Sequence, residues 1–154
     1  MTTHQRILEF LNHSNINYQE YSHPPSATCE LAAQNRGIDL RVGGKTLLMK
    51  AKNTFHLFVI SGALKADNNK IRKILNTSKL RFATDQELMD HCGVVSGALP
   101  PFGKDFYPYD LYVDESIVEN KLIAFNSGIL EHSIVMDVKD YLDLMDPTIC
   151  QFRK

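Results

Sequence analysis

Ile7, Leu8, Phe10 and Leu11 recur at helical spacing behind Thr2 and Thr3, and Gln5 stands where a capping box needs it, so a first amphipathic helix is predicted over 4–14. Residues 18–21 alternate as a short strand. Pro24-Pro25 breaks the chain, and Ser26 reads as the N-cap of a helix that runs through Leu31-Ala32-Ala33 and stops at Gly37. Strands are predicted over 45–52 and 55–61, joined at Lys52-Asn53-Thr54 as a hairpin, with Leu47, Met49 and Ala51 sharing a face. Asp67 caps a helix whose Ile71, Ile74 and Leu75 lie away from its basic residues. A short strand at 80–83 precedes Thr84-Asp85-Gln86-Glu87, a capping box opening a helix towards Gly93. Residues 93–108, GVVSGALPPFGKDFYP, carry turn signals and no helical period. Strands at about 109–113, 121–126 and 132–137 and a helix at 138–145 complete the chain. Strands that pair as hairpins as well as flanking helices indicate an α/β or α+β class, with a mixed sheet surrounded by helices rather than a doubly wound parallel one.

Composition narrows this picture without changing it. The 154 residues fit one domain, 1–154, with 44% apolar and 23% charged residues and no internal repeat. No apolar run approaches the roughly 18 to 20 residues that span a bilayer, and MTTHQRILEF lacks the order of a secretory signal, so no membrane association and a cytoplasmic location are expected. Cys29, Cys92 and Cys150 are too scattered for a disulfide framework or a zinc site and read as reduced and buried. A net charge of −1 argues against a generally basic nucleic-acid coat, yet the charge is polarised. Lys65 to Arg81 holds six basic residues against Asp67 alone, whereas Asp110 to Asp146 holds nine acids against Lys121 and Lys139. The basic stretch is either a solvated helix face or a local contact for phosphates.

RVGGKTLLMKAK, residues 41–52, contains the Gly-Lys-Thr that ends a P-loop, but Asp39 stands where the first loop glycine belongs and a strand pattern follows where a helix is needed. A P-loop nucleotide enzyme is therefore disfavoured; on these residues alone Gly43-Gly44 reads as a turn and Lys45 as a solvated residue. There is no GxSxG elbow, no HExxH and no Cys/His cluster. His56, in a strand with Phe58 and Ile60, reads as packed, and His132 is the better functional candidate among isolated histidines. Cys29 and Cys92 lack an evident base and read as packing residues.

Glycine-rich segments at strand ends carry the remaining signal: Gly43-Gly44-Lys45, Ser61-Gly62, Gly97 to Gly103 and Asn126-Ser127-Gly128. With His23-Pro24-Pro25 before the Ala32-Ala33 helix, Leu80-Arg81-Phe82-Ala83 before Glu87-Leu88, and Tyr112-Val113-Asp114-Glu115-Ser116, their order from about His23 to Leu144 resembles the YbaK/prolyl-tRNA editing-domain family. That family includes free-standing aminoacyl-tRNA deacylases and domains inserted in prolyl-tRNA synthetases. The resemblance implies a mixed, mostly antiparallel sheet or partly closed barrel with helices around it. It implies hydrolysis of the ester joining a mischarged small amino acid to the 3′ end of a tRNA such as tRNA-Pro, without metal or cofactor. Lys45 would be the catalytic residue, and Thr46, Gly62, Gly97, Pro101, Phe102, Gly103, Ser127, Gly128 and His132 would bind substrate, the 97–101 stretch being the family's GxxxP loop. The alternative is a non-catalytic module that recognises the aminoacyl or tRNA end beside a synthetase partner. A monomer is expected. Thr46 departs from the asparagine of alanyl-specific members, Ala98-Leu99-Pro100 is more apolar than cysteinyl-specific versions, and Ile129-Leu130-Glu131-His132 replaces a basic or glycine-rich run. The edited amino acid is thus left open.

Overall fold

A computed structural model describes the whole chain, Met1–Lys154. The first helix, α1 (Thr3–His13), is closed by the predicted box: Thr2 accepts from the Gln5 N–H, and the Gln5 side chain accepts from the Thr2 N–H. Strand β1 (Tyr18–Ser22) and helix α2 (Cys29–Arg36) follow. The N-cap of α2 is Thr28, not Ser26. The Ser26 hydroxyl is engaged elsewhere, donating to the Pro24 carbonyl and accepting from Asn35 at 2.8 Å. Gly37 ends α2 at φ 69°, the left-handed conformation that glycine adopts without a steric penalty.

A 3-10 turn over Leu40–Val42 then delivers the chain into β2 (Gly44–Ala51), which pairs antiparallel with β3 (Thr54–Ser61). Gly43 is extended at φ −62° and Gly44 is already in the strand, so the glycine pair is no turn. Its requirement is proximity: a Cβ on Gly44 would lie 2.8 Å from Ile123 Cδ1. Helix α3 (Asn68–Leu75) is capped by Asp67, β4 (Arg81–Phe82) is brief, and α4 (Asp85–Cys92) carries the Thr84–Glu87 capping box. After the irregular segment come β5 (Asp110–Asp114), α5 (Glu115–Val118), β6 (Leu122–Asn126), β7 (His132–Asp137), α6 (Val138–Met145) and β8 (Thr148–Cys150). Helix α5 and strand β8 are shorter than the windows in which periodicity is legible, and sequence reading missed both.

The strands form two sheets, ordered β1-β7-β6 and β4-β2-β3-β5-β8. Pairing is antiparallel except for β3 with β5 and β5 with β8. The mixed, mostly antiparallel arrangement holds, and no closed barrel forms; a single bridge, Gly43 to Ala124, links the sheets. The main core lies between them, with Leu57 and Val59 meeting Phe125, Ile134 and Met136 and with α1, α6 and Phe102 closing it. Alternate residues of β2 and β3 (Met49, Phe58, Ile60) face a smaller cluster with Ile71 of α3 and Phe152. The five-stranded sheet is therefore covered on both faces, which is why β3 reads as a continuous apolar run.

Candidate active site

Lys45 stands at the start of β2, opposite Ile60. Its ammonium donates to the Leu64 carbonyl at 2.7 Å, which uses one of three N–H donors and fixes the direction of the side chain. It lines a pocket of about 350 Å³ built from distant segments: Ser26 to Glu30 with Arg36, Gly43 to Leu47, Gly62, Ser96-Gly97 with Leu99, and Asn126.

Asn126 holds two of these walls together. From the end of β6 its Nδ2 donates to the Ser26 carbonyl at 2.8 Å and to the Gly97 carbonyl at 2.9 Å. Gly97 runs so close to the facing segment that a Cβ would lie 2.7 Å from the Ala27 carbonyl oxygen, and its φ of 90° is itself a glycine conformation. The N–H groups of Ser96 and Gly97 donate to no group of the protein. The third wall is set by buried Asp114, which accepts from the Ser116 and Phe152 N–H groups; the Ser116 hydroxyl in turn accepts from the Ser61 N–H. Gly62 then donates to the Gly43 carbonyl at 2.7 Å, closing the rim beside Lys45.

Arg36 supplies a second cation. Its Nε donates to Ser133 at 2.8 Å and one terminal nitrogen donates to the Asn126 oxygen at 3.2 Å, but no carboxylate pairs with it. Burial pulls the guanidinium down to about 10, which leaves it charged near neutrality. Cys29 also lines the pocket and is only partly buried, as is Cys150, so the expectation of three buried cysteines holds for Cys92 alone. Burial pushes the Cys29 thiol up, opposed in part by the charge of Lys45, and a protonated thiol is a weak nucleophile. Thr46 Oγ1 is enclosed and has no hydrogen-bond partner.

Of the residues singled out from sequence, Lys45, Thr46, Gly62 and Gly97 meet in this pocket. The others lie outside it. The Pro101 carbonyl accepts from buried Tyr141 at 2.6 Å, Phe102 is fully enclosed against Phe10, Phe106 and Phe125, and the Gly103 N–H approaches Met145 Sδ. Ser127 is buried against His4, and Gly128 donates to the Ala98 carbonyl under Thr3. His132 is paired with Glu20 at 3.0 Å and packed on the His4 ring, away from the pocket. Sequence reading left Arg36, Cys29 and Asn126 out of the binding residues, although it placed Asn126 in one of the strand-end segments that carry signal and read Cys29 as packing; a basic residue before a C-capping glycine reads as dipole compensation. No group of His, Cys, Asp or Glu side chains has the geometry to hold a metal ion.

The family profile described as aminoacyl-tRNA editing domain matches residues 23–144. The Escherichia coli (strain K12) protein called multifunctional Ser/Thr-tRNA deacylase ProXp-y is 28% identical over 158 residues, covering 99% of this chain and 93% of its own. A proline–tRNA ligase from Fervidobacterium nodosum is 30% identical over 80 residues, covering 52% of this chain and 14% of its own. Among solved structures, a proposed trans-editing enzyme for prolyl tRNA synthetase superposes with a TM-score of 0.87 at 22% identity, covering 100% of this chain and 98% of that one. The hypothetical protein APE2540 does so at 0.87 and 17%, covering 97% of this chain and 99% of that one. These two share the fold.

Proposed function

The chain belongs to the aminoacyl-tRNA editing domain family, and on that premise we propose that it is a trans-acting aminoacyl-tRNA deacylase, formed as one domain over residues 1–154, with Lys45 as its central catalytic group. The observation that carries this reading is that Lys45, its ammonium tethered to the Leu64 carbonyl, and Ser96-Gly97, whose N–H groups donate to no group of the protein, line one pocket.

The reaction adds water to the ester carbonyl. The carbon–oxygen bond to the ribose breaks, the water proton ends on the departing ribose oxygen, and the products are the free amino acid and the tRNA. An aminoacyl ester is already activated, so catalysis needs donors aimed at the developing oxyanion and a pocket that holds the water in line rather than a nucleophile and base. Ser96 and Gly97 amides are suited to the oxyanion, and Lys45, with two donors left, to the terminal adenosine and its phosphate. No helix is long and apolar enough to cross a membrane.

A small amino acid with a hydroxyl is the substrate class that this reading favours. A relative of nearly the same length is called a Ser/Thr-tRNA deacylase. One extra methylene changes pocket affinity by about 1 to 3 kcal/mol, whereas a site that hydrogen-bonds a substrate hydroxyl discriminates more strongly against the analogue lacking it. The substrate tRNA is one served by prolyl-tRNA synthetase, which is also the candidate partner.

The test is a deacylation panel across tRNAs mischarged with alanine, serine, threonine and cysteine. Release is expected for the hydroxylated amino acids, and Lys45→Ala is expected to lower it at least about 100-fold with an unchanged circular dichroism spectrum. Wild-type turnover by that variant would remove Lys45 from the mechanism. Silence across the whole panel would favour a binding module that acts through a partner.

A further inference from the structure

A second cleft, of about 460 Å³, lies beside the pocket and shares Lys45 and Leu47 with it. Its remaining walls come from Lys65, Asp67 and the first turns of α3 with Arg72, from Phe82 of β4, and from Lys154, whose N–H donates to the Lys65 carbonyl at 3.0 Å. Here the basic stretch of the sequence becomes a surface. Lys45, Lys65 and Arg72 take part in no ion pair. Arg72 donates to the Asn69 side-chain oxygen at 2.9 Å, a neutral partner. The one side-chain carboxylate in the wall, Asp67, is spent on the Asn69 and Lys70 N–H groups as the cap of α3. Phe82 is 53% exposed on the edge strand β4, the chain's most exposed aromatic side chain, and it faces this cleft.

Unpaired cations spaced along a groove with a bare aromatic ring are what single-stranded nucleic acid needs. The cations take the phosphates, and the ring takes a base face irrespective of sequence. An acidic protein surface would satisfy the charges but would not call for an isolated ring among them. The cleft also shares with the pocket Lys45, the residue proposed above to meet the terminal adenosine.

We propose that this cleft is the track for the single-stranded 3′ end of the tRNA, with Lys65 and Arg72 on the phosphates that precede the terminal adenosine and Phe82 stacking on one base. The proposal rests on the deacylase reading for the identity of the RNA. It explains how a chain with a net charge of −1 grips a polyanion: the acids are concentrated in 110–146, and the cations in this groove are left free.

The experiment is fluorescence anisotropy with an uncharged RNA hairpin, labelled at its 5′ end and carrying a single-stranded ACCA 3′ overhang, titrated at several salt concentrations. Lys65→Ala/Arg72→Ala is expected to weaken binding about tenfold at low salt and to reduce the slope of log affinity against log salt by about 1.4, or 0.7 per single-strand phosphate lost. Lys65→Arg/Arg72→Lys is expected to retain the slope. Phe82→Ala is expected to weaken binding about fivefold or more with the slope unchanged. A blunt hairpin should bind far more weakly. Equal binding of blunt and overhanging hairpins, or an unchanged slope in the alanine pair, overturns the proposal and leaves the groove to an acidic protein. The probe holds no ester, so this result is independent of turnover. Hydrolysis of aminoacyl-adenosine without overhang binding would sink the track and leave the deacylase reading standing.

Discussion

His56 sits on β3 with Nε2 2.9 Å from Thr54 Oγ1 and with Nδ1 enclosed and unpartnered. The Thr54 hydroxyl donates to the Ala51 carbonyl, so the neutral ring that donates from Nε2 suits the site and a proton on Nδ1 would find no acceptor. Burial accordingly lowers the His56 pKa below its ordinary 6.5, against the charge of Asp110. The sign follows from proton counting. Between the lowered folded value and 6.5 the unfolded chain binds more protons, so this contribution to stability is complete above 6.5 and is lost as pH falls through the folded value. His4, lowered by burial and then by His132, acts in the same direction. Urea midpoints measured from about pH 7.5 to about pH 5.5 are expected to fall more steeply for the wild type than for His56→Gln. Equal slopes would refute the assignment. At this scale the sequence was legible where a residue's role is set by its neighbours in the chain. Gly44 was misread because its reason for being glycine is Ile123, far away in sequence.

Elements were legible where caps and periodicity agree. The boxes at Thr2–Gln5 and Thr84–Glu87, the Asp67 cap and the 138–145 helix are found as predicted. Thr28 displaced Ser26 because His23, Pro24 and Asn35 compete for the Ser26 hydroxyl, a contest that no local pattern announces. The irregular segment that begins at Gly93 is the element that matters most for the site. It divides into a part that lines the pocket, Ser96, Gly97 and Leu99, and a part that anchors, from Pro101 to Tyr107. Gly97 is where the two walls touch. Gly97→Ala is expected to cost about 1 to 3 kcal/mol in strain and to lower kcat/KM on the charged tRNA at least about tenfold, as the Ala27 carbonyl is pushed back. Wild-type kcat/KM in that variant would mean that the loop carries no part of the site.

At the scale of the whole molecule, the last helix is coupled to the pocket loop by the Tyr141 hydroxyl on α6, which donates to the Pro101 carbonyl at 2.6 Å, and by the weaker Gly103 N–H to Met145 Sδ contact. Tyr141 and Pro101 are both buried, and burial pushes the phenol well above its ordinary range, so it remains a donor at any usable pH. Tyr141→Phe leaves that carbonyl unsatisfied and is expected to cost about 1 to 3 kcal/mol in chemical denaturation. A shift below a few tenths would mean that the carbonyl finds another donor. By itself the sequence determined most of the elements and the caps of α1, α3 and α4, because backbone hydrogen bonding, capping and apolar periodicity act over a few residues; the order of its motifs resembled the family and singled out Lys45 as a candidate. Only the tertiary structure decided that Arg36, Cys29 and Asn126 join the pocket while His132, Phe102 and Gly128 do not. It also decided that a solvated-looking basic helix borders a groove. Those outcomes depend on which faces of two sheets and two loops come within a few ångströms, and chain spacing does not encode that distance.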